Sequence, residues 1–169
     1  MQSYQAIRHT SPIKNHLMEL VDAAPQEMWA RYYNFDAIPV PGFILDEDPM
    51  FAFLAARYKF HAGVLRMPPN TCYNWHVDTD RKVGINMLVS GDNSECLFLD
   101  GEPGIAFKFT ELQYAPNTYY VFNTQIPHMV LNHADTRYLF SVEFLEESKG
   151  LTFSELIEVF KDINHGHKH

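Results

Sequence analysis

Residues 72–90 read CYNWHVDTDRKVGINMLVS, and they contain the most informative pattern in the chain. Side chains two positions apart on a β-strand point to the same face of the sheet. The imidazole of His76 and the carboxylate of Asp78 are therefore expected to emerge together. Such a pair supplies two of the three ligands of a 2-His-1-carboxylate iron site, which a second histidine would complete.

The second half of this stretch alternates between an apolar and a mixed face, as a strand with one buried face does. The apolar face consists of Val83, Ile85, Met87 and Val89. Asn86 lies on the mixed face, which we expect to line a pocket.

Seven further segments resemble this strand in length and composition, and turn residues separate them. The eight predicted strands are His61–Met67, Thr71–Val77, Val83–Val89, Cys96–Leu99, Ile105–Phe109, Tyr119–Asn123, Met129–Asn132 and Arg137–Phe144. Short strands at this spacing predict an all-β sandwich or barrel, with its β-core at residues 61–144.

Helical patterns flank the predicted β-core. Residues 12–36 are predicted to be helical, with a stripe of Met28, Trp29, Tyr32 and Tyr33 that is interpreted as core packing. A C-terminal helix is predicted at 151–163 and a flexible, histidine-rich tail at 164–169. Residues 49–58 fit a helix and an extended segment equally well. We expect one domain over residues 1–169, with the helices on the outside of the β-core.

Composition narrows the class of protein. Apolar residues make up 46% of the 169 residues and the net charge is −8, which indicates a globular protein and argues against nucleic acid as a partner. No apolar run approaches the ~20 residues that span a bilayer, so no membrane partner is expected. The N-terminus lacks a signal-peptide pattern, and Cys72 and Cys96 form no CxxC pair. These features favour a cytoplasmic location.

A second informative stretch lies downstream, at residues 127–138, where His128 falls on a predicted strand and Arg137 on the next one. Hairpin pairing of these strands would point both side chains into one cavity. Two residues compete with the candidate ligands. Asp80 is an alternative to Asp78, although the HxD spacing favours Asp78. His133 is an alternative to His128, although it is expected in the turn and at the surface.

The order HxD, distal His and then Arg resembles the Fe(II)- and 2-oxoglutarate-dependent oxygenases, and particularly their prolyl-hydroxylase and aspartyl/asparaginyl-hydroxylase members. The resemblance implies a double-stranded β-helix of the jelly-roll or cupin type. It implies that His76, Asp78 and His128 bind Fe(II) as catalytic metal ligands. It also implies that 2-oxoglutarate is a cosubstrate whose distal carboxylate pairs with Arg137, for which the planar guanidinium is well suited.

Several assignments remain open in the sequence. Arg137 could instead form a cross-strand ion pair with Asp135 or Glu143. Asn86 is a candidate cosubstrate contact, with a satisfied polar core residue as its alternative. Asn74 shares strand parity with His76 and is a further candidate contact. Tyr73 and Trp75 have the opposite parity and are interpreted as packing residues.

Arg81 is interpreted as a solvated side chain at the pocket rim.

The resemblance further implies a hydroxylase that converts 2-oxoglutarate to succinate and CO2 while oxidising a small-molecule substrate or a peptide or protein side chain. Two alternatives stay open. A cupin-like metalloenzyme would bind the metal without using 2-oxoglutarate. A non-catalytic binding module on the same fold would use neither.

Overall fold

The computed structural model describes residues 1–102 and 106–165. The predicted start of one strand at Ile105 lies outside these residues, as does the predicted tail beyond His165. Within the described ranges, no helix has the length and apolar character needed to cross a membrane.

Antiparallel β-strands dominate the structure and form two sheets. The strands are β1 (Tyr4–Thr10), β2 (Ala30–Tyr32), β3 (Phe35–Pro39), β4 (Phe60–Met67), β5 (Thr71–His76), β6 (Val83–Ser90), β7 (Ser94–Glu102), β8 (Ala106–Glu111), β9 (Thr118–Asn123), β10 (His128–Asn132) and β11 (Arg137–Phe144). The larger sheet has the order β1-β9-β6-β11-β4-β3-β2, and the smaller has the order β5-β10-β7-β8. All eight predicted strands are present as β4 to β11, which confirms the mainly β fold.

The larger sheet buries one face against helices. Val83, Ile85, Met87 and Val89 of β6 are all buried in the larger apolar cluster, as their alternation predicts. Helices α1 (Lys14–Ala23) and α4 (Phe153–His165) both pack on this side of the sheet against β6. The prediction of outer helices at both ends of the β-core is confirmed.

The opposite face of the larger sheet meets the smaller sheet. A second apolar cluster lies between them and includes Met67, Phe122, Phe98 and Val130. The mixed faces of the strands thus enclose an interior space between the two sheets.

The helical prediction for residues 12–36 is correct only for α1 and wrong after it. A short 3-10 turn at Gln26–Met28 leads into the hairpin of β2 and β3, and β3 pairs with β4. Aromatic residues in this stretch suit a pleated strand as well as a helix, and the free edge of β4 decides between them. Trp29 is buried as expected. The other members of the stripe are exposed, and Tyr33 at the hairpin turn is 86% exposed.

Two short helices follow the hairpin, α2 (Gly42–Leu45) and α3 (Pro49–Ala55). The second resolves the ambiguity at residues 49–58. Its N-cap is Asp48, whose fully buried carboxylate accepts hydrogen bonds from the Met50 amide at 3.0 Å and the Tyr119 hydroxyl at 2.9 Å. His9 Nε2 lies 2.8 Å from the same carboxylate. These contacts connect α3 with β9 and with β1, a strand that was not predicted from the sequence.

Helix α4 begins at a reciprocal capping box. Glu155 Oε2 accepts a hydrogen bond from the Thr152 amide at 2.8 Å, and Thr152 Oγ1 accepts one from the Glu155 amide at 3.3 Å. This start agrees with the predicted helix, which in the structure continues to His165.

Candidate metal centre

The two candidate histidine ligands lie opposite each other on neighbouring strands. His76 ends β5 and His128 begins β10, and the antiparallel register pairs them directly. Their ring centroids are 4.2 Å apart. A pair fifty-two positions apart in sequence is therefore brought into contact by strand pairing.

Asp78 completes this cluster from the loop after β5. Its Oδ1 lies 3.6 Å from His76 Nε2 and 3.7 Å from His128 Nε2. One ligand atom from each of the three residues lies within 4.8 Å of the others. Two imidazoles and one carboxylate form the donor set of a mononuclear non-haem iron site, so the residues present fit that metal chemically.

Backbone carbonyls orient both imidazoles. His76 Nδ1 lies 2.6 Å from the carbonyl oxygen of Asn74, and His128 Nδ1 lies 2.8 Å from that of Ile126. Because a carbonyl only accepts hydrogen bonds, each Nδ1 donates and each Nε2 of the neutral ring is left with a free lone pair facing the cluster. Burial lowers the pKa of His128, which favours this neutral form.

Arg81 contacts the cluster, which corrects its interpretation as a solvated rim residue. Its Nε donates to Asp78 Oδ2 at 2.7 Å, so the two oxygens of the carboxylate face different partners. The i,i+3 spacing between a candidate ligand and an arginine was the available sequence signal.

An inner pocket of about 190 Å³ extends from the cluster between the sheets. At ~30 Å³ for each water molecule, this volume corresponds to about six waters, which is the scale of a small organic ligand. Arg137, Asn86, Arg81 and Tyr73 line it together with the three candidate ligands. The pocket is thus shared by the cluster and by most of the predicted cosubstrate contacts.

Arg137 is a buried cation without an acidic partner. Its side chain on β11 is 4% exposed, and its Nε donates to Ser94 Oγ at 3.1 Å. Within residues 1–102 and 106–165, no carboxylate forms an ion pair with it. Glu143, one of the alternatives weighed from the sequence, instead lies 3.0 Å from His61 Nε2. A buried guanidinium in this situation favours an anionic ligand in the adjacent pocket.

Asn86 lies where its strand parity predicted. It is buried on the pocket side of β6, and its Oδ1 has no hydrogen-bond partner among the described residues. Buried amide groups are normally hydrogen-bonded, so an unpartnered one beside a pocket points to a ligand. A half-turn of the carboxamide exchanges its oxygen and nitrogen and would present an N–H to a carboxylate.

Asn74 does not line the inner pocket with His76, contrary to the prediction from strand parity. The pairing of β5 with β10 shifts between His76 and Tyr73, and such a bulge reverses which residues share a face. Asn74 is exposed in the outer cleft, and its Oδ1 accepts from the Trp75 amide at 2.8 Å. Tyr73 lines the inner pocket instead, with its ring centroid 4.0 Å from that of His76.

The competing acidic and histidine candidates lie away from the cluster. Asp80 is exposed and accepts a hydrogen bond from Thr79 Oγ1 at 3.4 Å. His133 is exposed in the turn before β11, with its Nε2 3.7 Å from Glu95. The only group of three or more potential ligands in the described part of the chain is that of His76, Asp78 and His128.

Cys96 and Tyr114 form part of the pocket wall near Arg137. Burial raises the pKa of the Cys96 thiol to about 11, against a smaller opposing effect of the Arg137 charge. Burial likewise raises the pKa of the Tyr114 hydroxyl, whose ring lies 5.9 Å from the Arg137 guanidinium carbon. Both groups are therefore neutral at pH 7 and leave the charge of Arg137 uncompensated.

A wider, open cleft of about 1240 Å³ lies outside the cluster. The β2–β3 hairpin forms one wall and β5 with its following loop forms the other. Asn34 connects the two walls by donating to the Cys72 carbonyl. Tyr32, Tyr33 and Trp75 are exposed aromatic residues along these walls.

Several solved structures share this architecture, although no sequence match was found. No protein-family model and no curated protein sequence matches the chain. A prolyl-4-hydroxylase from Pseudomonas putida superimposes with a TM-score of 0.62 at 14% identity, covering 86% of this chain and 92% of that chain. A prolyl hydroxylase from Trichoplax adhaerens, solved with a peptide fragment of hypoxia inducible factor, gives 0.64 at 12% identity with coverages of 87% and 85%. A viral collagen prolyl hydroxylase from Paramecium Bursaria Chlorella virus-1, solved with 2-oxoglutarate, gives 0.58 at 16% identity with coverages of 86% and 97%.

These similarities extend over most of each chain, although only 12–16% of the residues are identical. They confirm, at the level of the fold, the resemblance inferred from the order of His76, Asp78, His128 and Arg137. The chain has the double-stranded β-helix fold that is found in the prolyl hydroxylases and other 2-oxoglutarate- and iron(II)-dependent oxygenases.

Proposed function

We propose that this chain is an Fe(II)- and 2-oxoglutarate-dependent dioxygenase that hydroxylates its substrate and releases succinate and CO2. One observation carries the proposal. A cluster of two imidazoles and a carboxylate opens into the same pocket of about 190 Å³ as a buried guanidinium without an acidic partner. A metal-binding cluster alone would suit many enzymes, whereas the added cation calls for an acidic cosubstrate.

The metal would be held by His76, Asp78 and His128. Their side chains offer two neutral nitrogens and one oxygen, which leaves coordination positions of an octahedral metal open for other ligands. Fe(II) bound there would supply the redox chemistry that couples oxidative decarboxylation of 2-oxoglutarate to hydroxylation.

The cosubstrate would be held by residues of the larger sheet. Arg137 would bind its distal carboxylate through charge-assisted hydrogen bonds, and Asn86 would turn its amide toward a carboxylate oxygen. Tyr73 and other aromatic and aliphatic pocket residues would exclude water, which strengthens both contacts. Asn74 is not included in this site because it faces the outer cleft.

The substrate would enter from the wide outer cleft. Its open shape and exposed aromatic walls are compatible with a peptide or protein side chain as well as with a small molecule. The Trichoplax adhaerens neighbour was solved with a peptide, which favours the first class. We treat residues 1–169 as one domain, because the smaller sheet packs against the larger one through the second apolar cluster.

Metal and cosubstrate binding test this proposal. Under anaerobic conditions, the wild-type protein should bind one Fe(II) per chain, and 2-oxoglutarate should bind only when the metal is present. By resemblance to the family, the ternary mixture should show a weak visible charge-transfer band. Air should then give Fe(II)-dependent succinate formation, measured by chromatography.

Single substitutions identify the ligands. His76→Ala and Asp78→Ala should abolish stoichiometric iron binding, whereas His133→Ala, an exposed histidine of the same sheet region, should leave it unchanged. Stoichiometric iron in the first two variants would show that the metal binds elsewhere. Iron binding without any affinity for 2-oxoglutarate would instead support a metalloenzyme with another cosubstrate.

A further inference from the structure

The two oxygens of the Asp78 carboxylate have different partners. Its Oδ1 faces His76 Nε2 and His128 Nε2 at 3.6 and 3.7 Å. Its Oδ2 accepts a hydrogen bond from Arg81 Nε at 2.7 Å. The short distance and opposite charges make this a strong, directional contact that commits Oδ2 to the arginine.

From this division we infer that Arg81 is a positioning residue that leaves Asp78 with a single oxygen, Oδ1, for the metal. The inference rests on the proposed function. A carboxylate with both oxygens free can rotate and bind a metal through both of them. Such a rotation would occupy a position that the cosubstrate or dioxygen requires, so a group that holds Oδ2 preserves the open positions of the site.

Backbone contacts fix Arg81 relative to both ligand-bearing segments. Its carbonyl oxygen accepts hydrogen bonds from Thr124 Oγ1 at 2.8 Å and Gln125 Nε2 at 3.0 Å. Gln125 Nε2 also lies 3.1 Å from the Asp78 carbonyl, and the Asp78 amide donates to the Thr124 carbonyl at 3.1 Å. Because residues 124–127 lead directly into His128, the loop carrying Asp78 and Arg81 is anchored to the segment carrying the distal histidine.

The sheet beneath Arg81 leaves room for its guanidinium. A Cβ added to Gly84 of β6 would lie 3.3 Å from Arg81 Nη1 and 3.3 Å from the Val142 carbonyl oxygen. On the neighbouring strand, Ser141 Oγ accepts from Nη1 at 3.4 Å. Arg81 is therefore held at both ends of its guanidinium and is not a freely rotating surface side chain.

Substitutions of Arg81, together with a control at Arg66, separate an effect on the position of Asp78 from an effect on the stability of the fold. Arg81→Leu keeps an apolar side chain of moderate length and removes every donor. Arg81→Gln places an amide nitrogen the same number of bonds from Cα as Nε and so restores one donor toward Oδ2. Arg66→Leu is the matched control, because Arg66 also pairs with a carboxylate, Asp36 at 2.9 Å, but lies outside the site.

Metal affinity and the Co(II) absorption spectrum are the measurements. Each variant is titrated with Co(II) in competition with a chelator, and the visible bands report coordination number and geometry. We expect Arg81→Leu to bind Co(II) about 10- to 100-fold more weakly than wild type, with a changed spectrum. Arg81→Gln should recover a large part of the affinity and the wild-type bands, and Arg66→Leu should retain both.

The Co(II) affinity and spectrum of the variants decide whether Arg81 positions Asp78. Wild-type affinity and bands in Arg81→Leu would overturn it while leaving the proposed function intact. Weaker binding in Arg81→Leu without recovery in Arg81→Gln would also overturn it, because the donor to Oδ2 would then not be the relevant feature. If Arg81→Leu does not fold, Arg81→Met, which also lacks a donor, takes its place in the same titration. Weaker Co(II) binding with a changed spectrum then supports positioning, and wild-type affinity and bands overturn it. If the wild-type protein binds no Co(II) at all, the proposed function fails together with the inference.

Discussion

Replacement of Arg137 by methionine tests the cosubstrate site most directly. The substitution keeps an unbranched side chain in the buried position and removes the charge. Truncating one partner of a buried, hydrogen-bonded charge pair costs about 2–5 kcal/mol, which corresponds to an about 30-fold to several-thousand-fold loss of affinity. The dissociation constant of 2-oxoglutarate for the Mn(II)-loaded protein, measured by isothermal titration calorimetry, should rise by this factor.

The stability of Arg137→Met without ligand gives a second, independent test of the role of Arg137. Arg137 is 4% exposed and lacks an acidic partner among the described residues, so burial of its charge opposes folding. Arg137→Met should therefore leave the free energy of unfolding unchanged or raise it, as measured by urea denaturation without ligand. Arg66→Met should behave in the opposite way. Arg66 pairs with Asp36 and stacks on Trp29 with its guanidinium carbon 4.1 Å from the ring centroid, so its loss should lower stability without affecting 2-oxoglutarate.

A lower stability of Arg137→Met together with unchanged 2-oxoglutarate affinity would refute this reasoning. It would show that Arg137 serves the fold through contacts such as that with Ser94, as in the structural alternative weighed from the sequence.

Two further predictions concern the fold around the pocket. Iodoacetamide at pH 8 should label the exposed Cys72 and spare the buried Cys96, because burial raises the pKa of the Cys96 thiol to about 11. Mass spectrometry should therefore show one label on the native protein and two labels on the urea-unfolded protein. Rapid labelling of the native Cys72→Ser variant would contradict this. Gly91→Ala should lower the free energy of unfolding by about 1–3 kcal/mol, because Gly91 has a φ of +91° and an added Cβ would lie 2.7 Å from Arg137 Cα. Gly42→Ala, where an added Cβ meets nothing within 4 Å, is the control and should cause no loss in the same urea titration.

The eight strands of the β-core were predictable because their evidence is local. Alternation of side chains, as in Val83 and Ile85, and turn residues between segments reflect the geometry of a pleated strand with one buried face. The region from Ala30 to Pro39 was not predictable in the same way. Its aromatic residues are compatible with helix and strand alike, and pairing with β4 decides the outcome.

The site shows the same distinction. The types and order of the candidate ligands and of Arg137 are properties of the sequence, and they were sufficient to suggest iron and 2-oxoglutarate. Asn86 could be placed in the pocket because the strand pairing around it is regular, and the register shift in β6 comes only after Leu88. Tyr73 and Asn74 could not be assigned correctly, because a bulge opposite β10 reverses the parity on which the assignment depended.

By itself, the sequence determined the strands of the β-core, the helices at its two ends and the set of chemical groups available for a metal and an acid. Only the tertiary structure decided which of those groups meet. It paired His76 with His128, directed Arg81 to one oxygen of Asp78 and left Arg137 buried without an acidic partner among the described residues. The physical reason is that strand pairing, bulges and hydrogen bonds between loops join residues that are distant in sequence. A local pattern of residue types contains no information about such partners.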